Sequence, residues 1–216
     1  GGGRGGGRGR RGRPRENDPH VSASVITDID NILALEPDCV FGFSDLQADI
    51  ASALIRQGVQ VTVFNQRSVE EILAMLYQVA AMVGQAPQGL ALLEGMRARL
   101  LAIEAVGRAL PRRPRVFFEE WDTPHISAIR WVSQLVGIAG GDDVFPELAT
   151  QSLGKDRIIA DGAEIVRRNP DIIIGSWCGK KFRPEKVAAR AGWQEVNAVK
   201  HGQLFEIKSA DILQPG

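Results

Sequence analysis

The sequence predicts an α/β protein in which a long helix joins two small parallel-sheet lobes. Short apolar runs alternate with helical patterns in both halves of the chain, and this order is typical of a parallel sheet. Between the halves, residues from about Pro87 to Ala109 keep helical spacing for ~23 residues, or about 34 Å at 1.5 Å per residue. A helix of that length is long for a crossover within one domain and suits a bridge between two lobes.

Composition supports a folded core and argues against two classes of partner. The chain has 216 residues, of which 44% are hydrophobic, and its net charge is zero. Six arginines and no acids occupy the first fifteen residues, so the remainder has 20 basic and 26 acidic residues. This acidic remainder predicts no general nucleic-acid surface. No run of 18 apolar residues is present, so we expect no membrane insertion.

Residues 1–20 form a Gly/Arg-rich tail that we expect to be disordered, because it is too poor in hydrophobic residues to offset the entropy of ordering. An RNA-binding tail is one interpretation, but the segment has no aromatic residue to stack on bases. We therefore favour an incidental extension. No apolar segment typical of a signal peptide follows, so this chain as written is expected to stay in the cytoplasm.

The first lobe is predicted to alternate helices and strands. Helices are expected at residues 21–36 and 46–57, the second with Ile50, Ala51, Leu54 and Ile55 inward, and strands at 39–43 and 59–64. Polar residues follow both strands: Ser44, Asp45, Asn65 and Gln66. Because ligands bind at the carboxyl ends of parallel strands, these residues are candidates for one wall of a cleft. Helix capping by Ser44 or Asp45 is the alternative.

Two helices follow the first lobe. Ser68 and Glu71 have the spacing of a capping box, which predicts a helix from there to about Val83. Gly84 ends it, and the long helix begins near Pro87. A proline-rich stretch at 111–115 ends the long helix.

The second lobe opens with a buried strand at 116–118 that three carboxylates and an indole follow: Glu119, Glu120, Trp121 and Asp122. Thr123-Pro124 predicts a turn. A helix is then expected, with apolar residues at helical spacing: Ile126, Ile129, Val132, Leu135 and Val136. Its face also carries Arg130. A solvated turn after a core strand is the alternative interpretation of the charged segment.

The rest of the second lobe is predicted to be a continued β-α-β-α-β unit. Helices are expected at 161–168 and 184–190, a short turn at 193–196, and strands at 172–175 and 204–207. Trp177 and Cys178 follow the first of these strands. For Trp131 and Trp193 we prefer core packing to ligand contact.

Metal binding and catalysis have weaker support in the sequence. The histidines His20, His125 and His201 lack the spacing of a metal site. Cys178 stands near Lys180 and Lys181, which suggests an enzyme nucleophile, but the residue three positions after it is Lys181 and not a resolving cysteine. We therefore predict binding without turnover and no cofactor.

Four stretches resemble cobalamin-type substrate-binding proteins of ABC transporters, the class in which a long helix joins two α/β lobes. They are EPDCVFGFSDLQADIASALIRQGVQVTVFNQRSVEEIL (36–73), RVFFEEWDTPHISAIRWVSQLVGIAGGDDVF (115–145), RRNPDIIIGSWCGKKFRPEKVAARAGWQEVNAVKHGQLFEI (167–207) and KSADILQPG (208–216). They occur in family order. The resemblance implies an N-terminal lobe at 21–84, a connecting helix at 85–112 and a C-terminal lobe at 113–216.

The resemblance also implies a ligand and a partner. A transported corrinoid would lie between the lobes, and a ferric siderophore or a metal is the rival ligand. The expected ligand contacts are Ser44, Asp45, Asn65, Gln66, Glu119, Glu120, Trp121, Arg130, Trp177, Cys178 and Lys208. Asp49 and Glu164 are expected to dock on the permease, although an acid at a helix start is also typical of a favourable helix dipole.

The sequence departs from the family pattern at both ends. The resemblance leads us to expect a truncated first lobe and no C-terminal helix after residue 216. Family members act in the periplasm or on an outer surface, whereas no export signal is visible in this chain.

Overall fold

The computed structural model describes residues 29–44 and 47–214 and has the predicted α/β fold. A two-stranded parallel sheet belongs to the first part of the chain and a five-stranded sheet to the second. A long helix lies between them in sequence. The predicted tail at 1–20 and Asp45 lie outside the described residues.

The first sheet pairs two strands that are separated by one helix. Helix α1 spans Ile29–Leu33, β1 Val40–Phe43, α2 Ala48–Arg56 and β2 Val61–Phe64. Phe43 lies opposite Phe64 in the parallel register, so the two strands end at one edge. Leu54 is fully buried, but the expectation that Ile55 also points inward is wrong because it is 59% exposed. Neighbouring helix residues point about 100° apart, and this narrow sheet covers only one stripe of α2.

Helix α3, Val69–Met82, begins with the predicted capping box. The hydroxyl of Ser68 accepts a hydrogen bond from the Glu71 N–H at 3.2 Å, and the Glu71 carboxylate accepts one from the Ser68 N–H at 2.9 Å. The N–H of Arg67 also donates to Glu71, and this bond is the main reason that the pKa of Glu71 is lowered. The N–H of Val69 donates to the side chain of Gln134 at 2.9 Å, which attaches the start of α3 to the second lobe.

The long helix α4 spans Ala86–Arg108, 23 residues, as predicted. Two glycines let it approach its neighbours closely. A Cβ placed on Gly89 would lie 2.5 Å from the Cβ of Ala80 in α3. One placed on Gly107 would lie 2.7 Å from the backbone nitrogen of Gly140. Both contacts therefore require glycine on α4.

The second sheet has strand order β4-β3-β6-β7, with β5 also paired to β3. The strands are β3 Arg115–Asp122, β4 His125–Ser127, β5 Asp142–Asp143, β6 Ile172–Gly175 and β7 Leu204–Glu206. Strands β6 and β7 run parallel to their neighbours, as predicted, and β5, which was not predicted, also pairs parallel to β3. Strand β4 runs antiparallel to β3 and was not predicted.

The segment after Pro124 is a β-hairpin, so the predicted helix from Ile126 is wrong. Strand β3 continues to Asp122, a turn with a cis Thr123-Pro124 peptide follows, and the chain returns as β4. Helix α5 begins only at Arg130 and ends at Ile138. Ile126 pairs with Trp121 across the hairpin. The spacing of Ile126 and Ile129 matches a helix by chance. Hydrophobic spacing alone cannot show that this segment pairs with the preceding strand instead.

The remaining elements cover the second sheet. They are α6 Gly162–Arg168, α7 Pro184–Ala188, α8 Asn197–Lys200 and α9 Ser209–Ile212, with short 3-10 turns at Leu148–Thr150, Gly154–Arg157 and Trp193–Glu195. One core cluster gathers around Phe117 and Trp193, and a second around Phe118 and Trp131. The prediction that Trp131 and Trp193 pack in the core is confirmed.

Candidate functional site

Glu119 is the buried centre of a polar network at the base of the hairpin. Its side chain is 0% exposed and receives both terminal nitrogens of Arg190, at 2.8 and 3.0 Å. The indole N–H of Trp177 donates to it at 3.0 Å, and Nδ1 of His125 lies 2.9 Å away. A buried carboxylate is tolerated only when it is paired and hydrogen-bonded, and this network meets both conditions.

Glu120 forms a second pair on the opposite face of the strand. Its two oxygens accept from Arg157 at 2.6 and 3.1 Å. Arg157 is 2% exposed and also donates to the carbonyl of Ser127. Together with Glu119, this pair holds the hairpin against the loops that precede α6 and follow α7.

Three side chains lie at the carboxyl end of β3 and form a partly exposed surface, which we call the rim: Trp121, Asp122 and Lys180. The Lys180 ammonium lies 4.1 Å from the ring centre of Trp121 and forms an ion pair with Asp122. The indole N–H of Trp121 donates to the carbonyl of Thr123 at 2.9 Å, which fixes the ring. The structure thus presents a partly exposed, oriented indole at the carboxyl end of β3, as the sequence predicted.

A cavity of about 520 Å³ opens beside the hairpin turn. Its walls come from the turn, from the start of α6 and from the loop after α7, and they include Asp122, His125, Gly162, Arg190 and Trp193. This volume falls in the range of small-molecule sites.

The other predicted residues of the second lobe lie apart from this cavity. Trp177 is 4% exposed and packs edge-on against Phe182, so it belongs to the core and presents no open wall. Arg130 and Lys208 are exposed at the starts of α5 and α9. Cys178 is an exposed free thiol, while the Lys180 ammonium is engaged by Asp122. Their roles in ligand binding remain predictions.

The predicted residues of the first lobe meet at one edge of its sheet. Ser44 is buried with a φ of 72°, and its hydroxyl accepts a hydrogen bond from Arg67 at 3.1 Å. Gln66 is buried and Asn65 is exposed. The guanidinium of Arg67 lies 5.0 Å from the ring centre of Phe43. Their contribution to ligand binding likewise remains a prediction.

The two predicted docking residues differ in their surroundings. Asp49 is exposed in the first turn of α2. Glu164, in the first turn of α6, pairs with Arg167 and accepts a hydrogen bond from Arg168 at 2.8 Å. The hydrogen bond from Arg168, followed by that from Arg167, lowers the pKa of Glu164. Docking remains a prediction for both.

Three residues of the network escaped the sequence analysis as site residues: His125, Arg157 and Arg190. Arg157 and Arg190 lie 37 and 71 residues from their carboxylate partners. No local pattern joins residues so far apart, and the hairpin that brings His125 to Glu119 was itself not predicted. Within residues 29–44 and 47–214, no group of three or more His, Cys, Asp or Glu residues could hold a metal ion.

Two α/β lobes joined by a long helix, with a cavity at the carboxyl edge of a parallel sheet, define the class of two-lobed substrate-binding proteins. The family model described as periplasmic binding protein matches residues 9–210. The chain therefore belongs to this family, the periplasmic substrate-binding proteins of ABC transporters. No curated protein matches the sequence significantly. Among the helices that the structure describes, none is long and apolar enough to cross a membrane.

Solved structures with the same fold include three proteins whose names state what they bind. A possible iron-binding protein from Staphylococcus epidermidis has 18% identity and a TM-score of 0.72, over 88% of this chain and 74% of that one. The heme-binding protein BhuT, in complex with two hemes, has 21% identity and a TM-score of 0.72, over 88% and 73%. The vitamin B12-binding protein BtuF of Vibrio cholerae has 17% identity and a TM-score of 0.63, over 84% and 69%. At these identities the similarity establishes the fold.

Proposed function

We propose that this protein binds a corrinoid in the cleft between its two lobes and delivers it to the permease subunits of an ABC transporter in the periplasm. Membership of the periplasmic binding protein family supports the transport role. BtuF, which binds vitamin B12, and BhuT, which binds heme, share the fold, and both ligands are flat macrocycles that hold a metal.

The oriented, partly exposed indole of Trp121 is the observation that carries the proposal. A corrinoid is flat and partly apolar, and amide groups fringe its ring. An aromatic face beside a few hydrogen-bonding groups suits such a ligand. Lys180 covers the Trp121 ring in the free protein, with its ammonium 4.1 Å from the ring centre, and it is 40% exposed. The lysine can therefore swing toward solvent when a ligand stacks on the indole.

Charge balance at the rim favours a ligand with little net charge. Each acid here has a basic partner: Glu119 has Arg190, Glu120 has Arg157 and Asp122 has Lys180. In the sequence, the segment 119–122 carries three acids and no base, because the basic partners lie 37 to 71 residues away along the chain. An iron chelate that carries several negative charges needs an excess of basic groups, whereas these three ion pairs carry no net charge.

The experiment is a titration of the 216-residue chain with hydroxocobalamin, followed by tryptophan fluorescence and calorimetry. Trp121→Ala should weaken binding by about 1–3 kcal/mol, since the ring would be buried by the ligand. Phe205→Ala, at an aromatic residue that is 48% exposed on β7, is the matched control and should bind like the wild type. Binding of a ferric siderophore with no response to corrinoids would reassign the ligand.

A further inference from the structure

Helix α4 buries only one side of its surface, where Gly89, Leu93 and Gly107 lie. Ala98 is nine residues from both glycines, or about 2.5 turns at 3.6 residues per turn, so it points away from them. An exposed row of alanines runs along this outward side, between two rows of large hydrophobic residues. We call the following residues the outer face of α4: Ala91, Ala98, Ala102 and Ala105 in the row of alanines, Leu90 and Leu101 on one side of it, and Leu92, Ile103 and Val106 on the other.

The five large residues of the outer face are each between 48% and 69% exposed. Helix propensity explains the alanines, because alanine is the best helix former, but isoleucine and valine are poorer ones. Ile103 and Val106 therefore lower the helix propensity of α4 and gain little burial within the chain. An apolar surface that extends along a whole helix is typical of an interaction site. The composition of the outer face thus indicates that a partner covers it.

The charges beside the outer face match those of a second copy that runs in the opposite direction. Glu94 and Arg108 lie seven residues before and after Leu101, about two turns each way, so all three share one side of the helix. In an antiparallel pair with a twofold axis at Leu101, that side meets the same side of the other copy, and each Glu94 faces the other copy's Arg108. Arg108 also pairs with Glu104 of its own helix at 2.6 Å, but its side chain is 74% exposed. A guanidinium has five N–H donors and can bind a second carboxylate.

The size of the outer face predicts how tightly two copies associate. A helix of 23 residues is about 34 Å long and 10–12 Å wide, which gives a footprint of about 350–400 Å² per copy. A standard stable interface buries about 800 Å² per partner, and smaller ones belong to transient complexes. We therefore expect reversible association that depends on the protein concentration.

We propose that the outer face of α4 is the contact surface of a homodimer, in which two copies of α4 pack antiparallel about a twofold axis at Leu101. The alanines let the two helices approach closely, and the flanking hydrophobic residues become buried between the copies. Glu94 and Arg108 determine the direction of packing. The proposal holds for any transported ligand, since the outer face contains none of the predicted ligand contacts.

The test is sedimentation velocity of the 216-residue chain at concentrations from about 1 to 100 µM, where a small interface associates reversibly. The wild type should change from monomer to dimer across this range. Ala102→Glu should raise the dissociation constant at least about tenfold, because the two added carboxylates would face each other near the axis. Ala210→Glu, at an exposed alanine of α9, is the matched control and should dimerise like the wild type.

A charge exchange tests the antiparallel direction and leaves the row of alanines intact. Glu94→Arg and Arg108→Glu should each weaken the dimer by about threefold to tenfold, since either change places like charges opposite each other in both symmetric pairs. The double variant restores opposite charges, and its dissociation constant should return to within about twofold of the wild-type value. Both residues are exposed, and thermal unfolding at low protein concentration checks that the variants fold.

Each outcome bears on one part of the proposal. A wild type that stays monomeric at the highest concentration overturns the homodimer. A dimer that Ala102→Glu does not weaken also overturns it, because the copies would then meet at another surface. If Ala102→Glu dissociates the dimer but the charge exchange does not restore binding, the antiparallel arrangement is wrong. None of these results depends on the corrinoid proposal, which the fluorescence titration tests separately.

Discussion

The carboxylate of Glu119 is sealed inside the second lobe, and three side chains from separate segments converge on it. Glu119→Gln should destabilise the fold by about 3–5 kcal/mol, because loss of one member of a buried ion pair leaves the other, here Arg190, without its counter-charge. Urea unfolding followed by circular dichroism measures this change.

A matched control for Glu119→Gln is Glu185→Gln. Glu185 is exposed, and its pair with Arg183 is 3.9 Å long. The control should change the free energy of unfolding by no more than about 1 kcal/mol. Equal effects of the two substitutions would show that the Glu119 network does not stabilise the lobe.

Single residues could be predicted from sequence where their role is local. Trp121 follows a strand and lies at the rim, as its position indicated. Trp177 has a similar position but turns inward, because its indole N–H can reach Glu119. Which side an indole takes depends on partners that are 58 residues away, and that information is absent from any local window.

At the scale of elements, Asp171 joins the starts of two strands and a helix. Its carboxylate accepts from the Arg115 N–H at 2.9 Å, from Arg112 at 2.7 Å and from the Asn197 amide at 3.2 Å. Burial opposes ionisation of this carboxyl. The three donors outweigh that opposition, and the pKa of Asp171 is lowered.

The lowered pKa gives a prediction for acid stability. With a folded pKa below the unfolded value, Asp171 contributes stability that is present above the unfolded pKa and is lost as pH falls through the folded pKa. Asp171→Asn should therefore make the free energy of unfolding fall less steeply with acid below about pH 4. Urea unfolding between neutral pH and pH 3 tests this, with exposed Asp156→Asn as the control. An unchanged slope would contradict the assignment.

Elements with a strong local signal were predicted well, and the capping box at Ser68 is the best example, since both of its hydrogen bonds form. The hairpin at 115–127 was missed for a physical reason. Strand β4 is stabilised by hydrogen bonds to β3 across the turn. With only three residues, β4 is too short to show the alternating hydrophobic pattern that identifies a strand. Hydrophobic spacing therefore favoured a helix that does not form.

At the scale of the whole molecule, the close packing of α4 against the second lobe can be tested by substituting glycines of α4. Gly107→Ala should destabilise the protein by about 3 kcal/mol. The new Cβ would overlap backbone atoms of Ala139 and Gly140, which cannot rotate away as a side chain can. Gly95→Ala in the same helix meets nothing within 4 Å and should instead stabilise by about 0.5–1 kcal/mol. Thermal unfolding measures the change in melting temperature of each variant. A similar change in both would contradict the close packing of α4 at Gly107.

Docking to a permease concerns the whole molecule as well, since both lobes must meet the partner together. We expect the double substitution Asp49→Lys and Glu164→Lys to abolish transport and permease pull-down while corrinoid affinity stays intact, because complementary charges align such partners. Glu185→Lys is the control. If the double variant only lowers the melting temperature, these acids interact with their helix N-termini, and docking occurs elsewhere.

The first half of the chain contacts helix α5 and the residues just after it at two places. At the middle of α5, Gln134 accepts a hydrogen bond from the N–H of Val69, the first residue of α3, and just beyond the end of α5 Gly140 meets Gly107 of α4. One contact is a hydrogen bond to a side chain, and the other is a close approach of two backbones. A substitution at either point therefore acts on the junction between the two halves of the chain and not on one half alone.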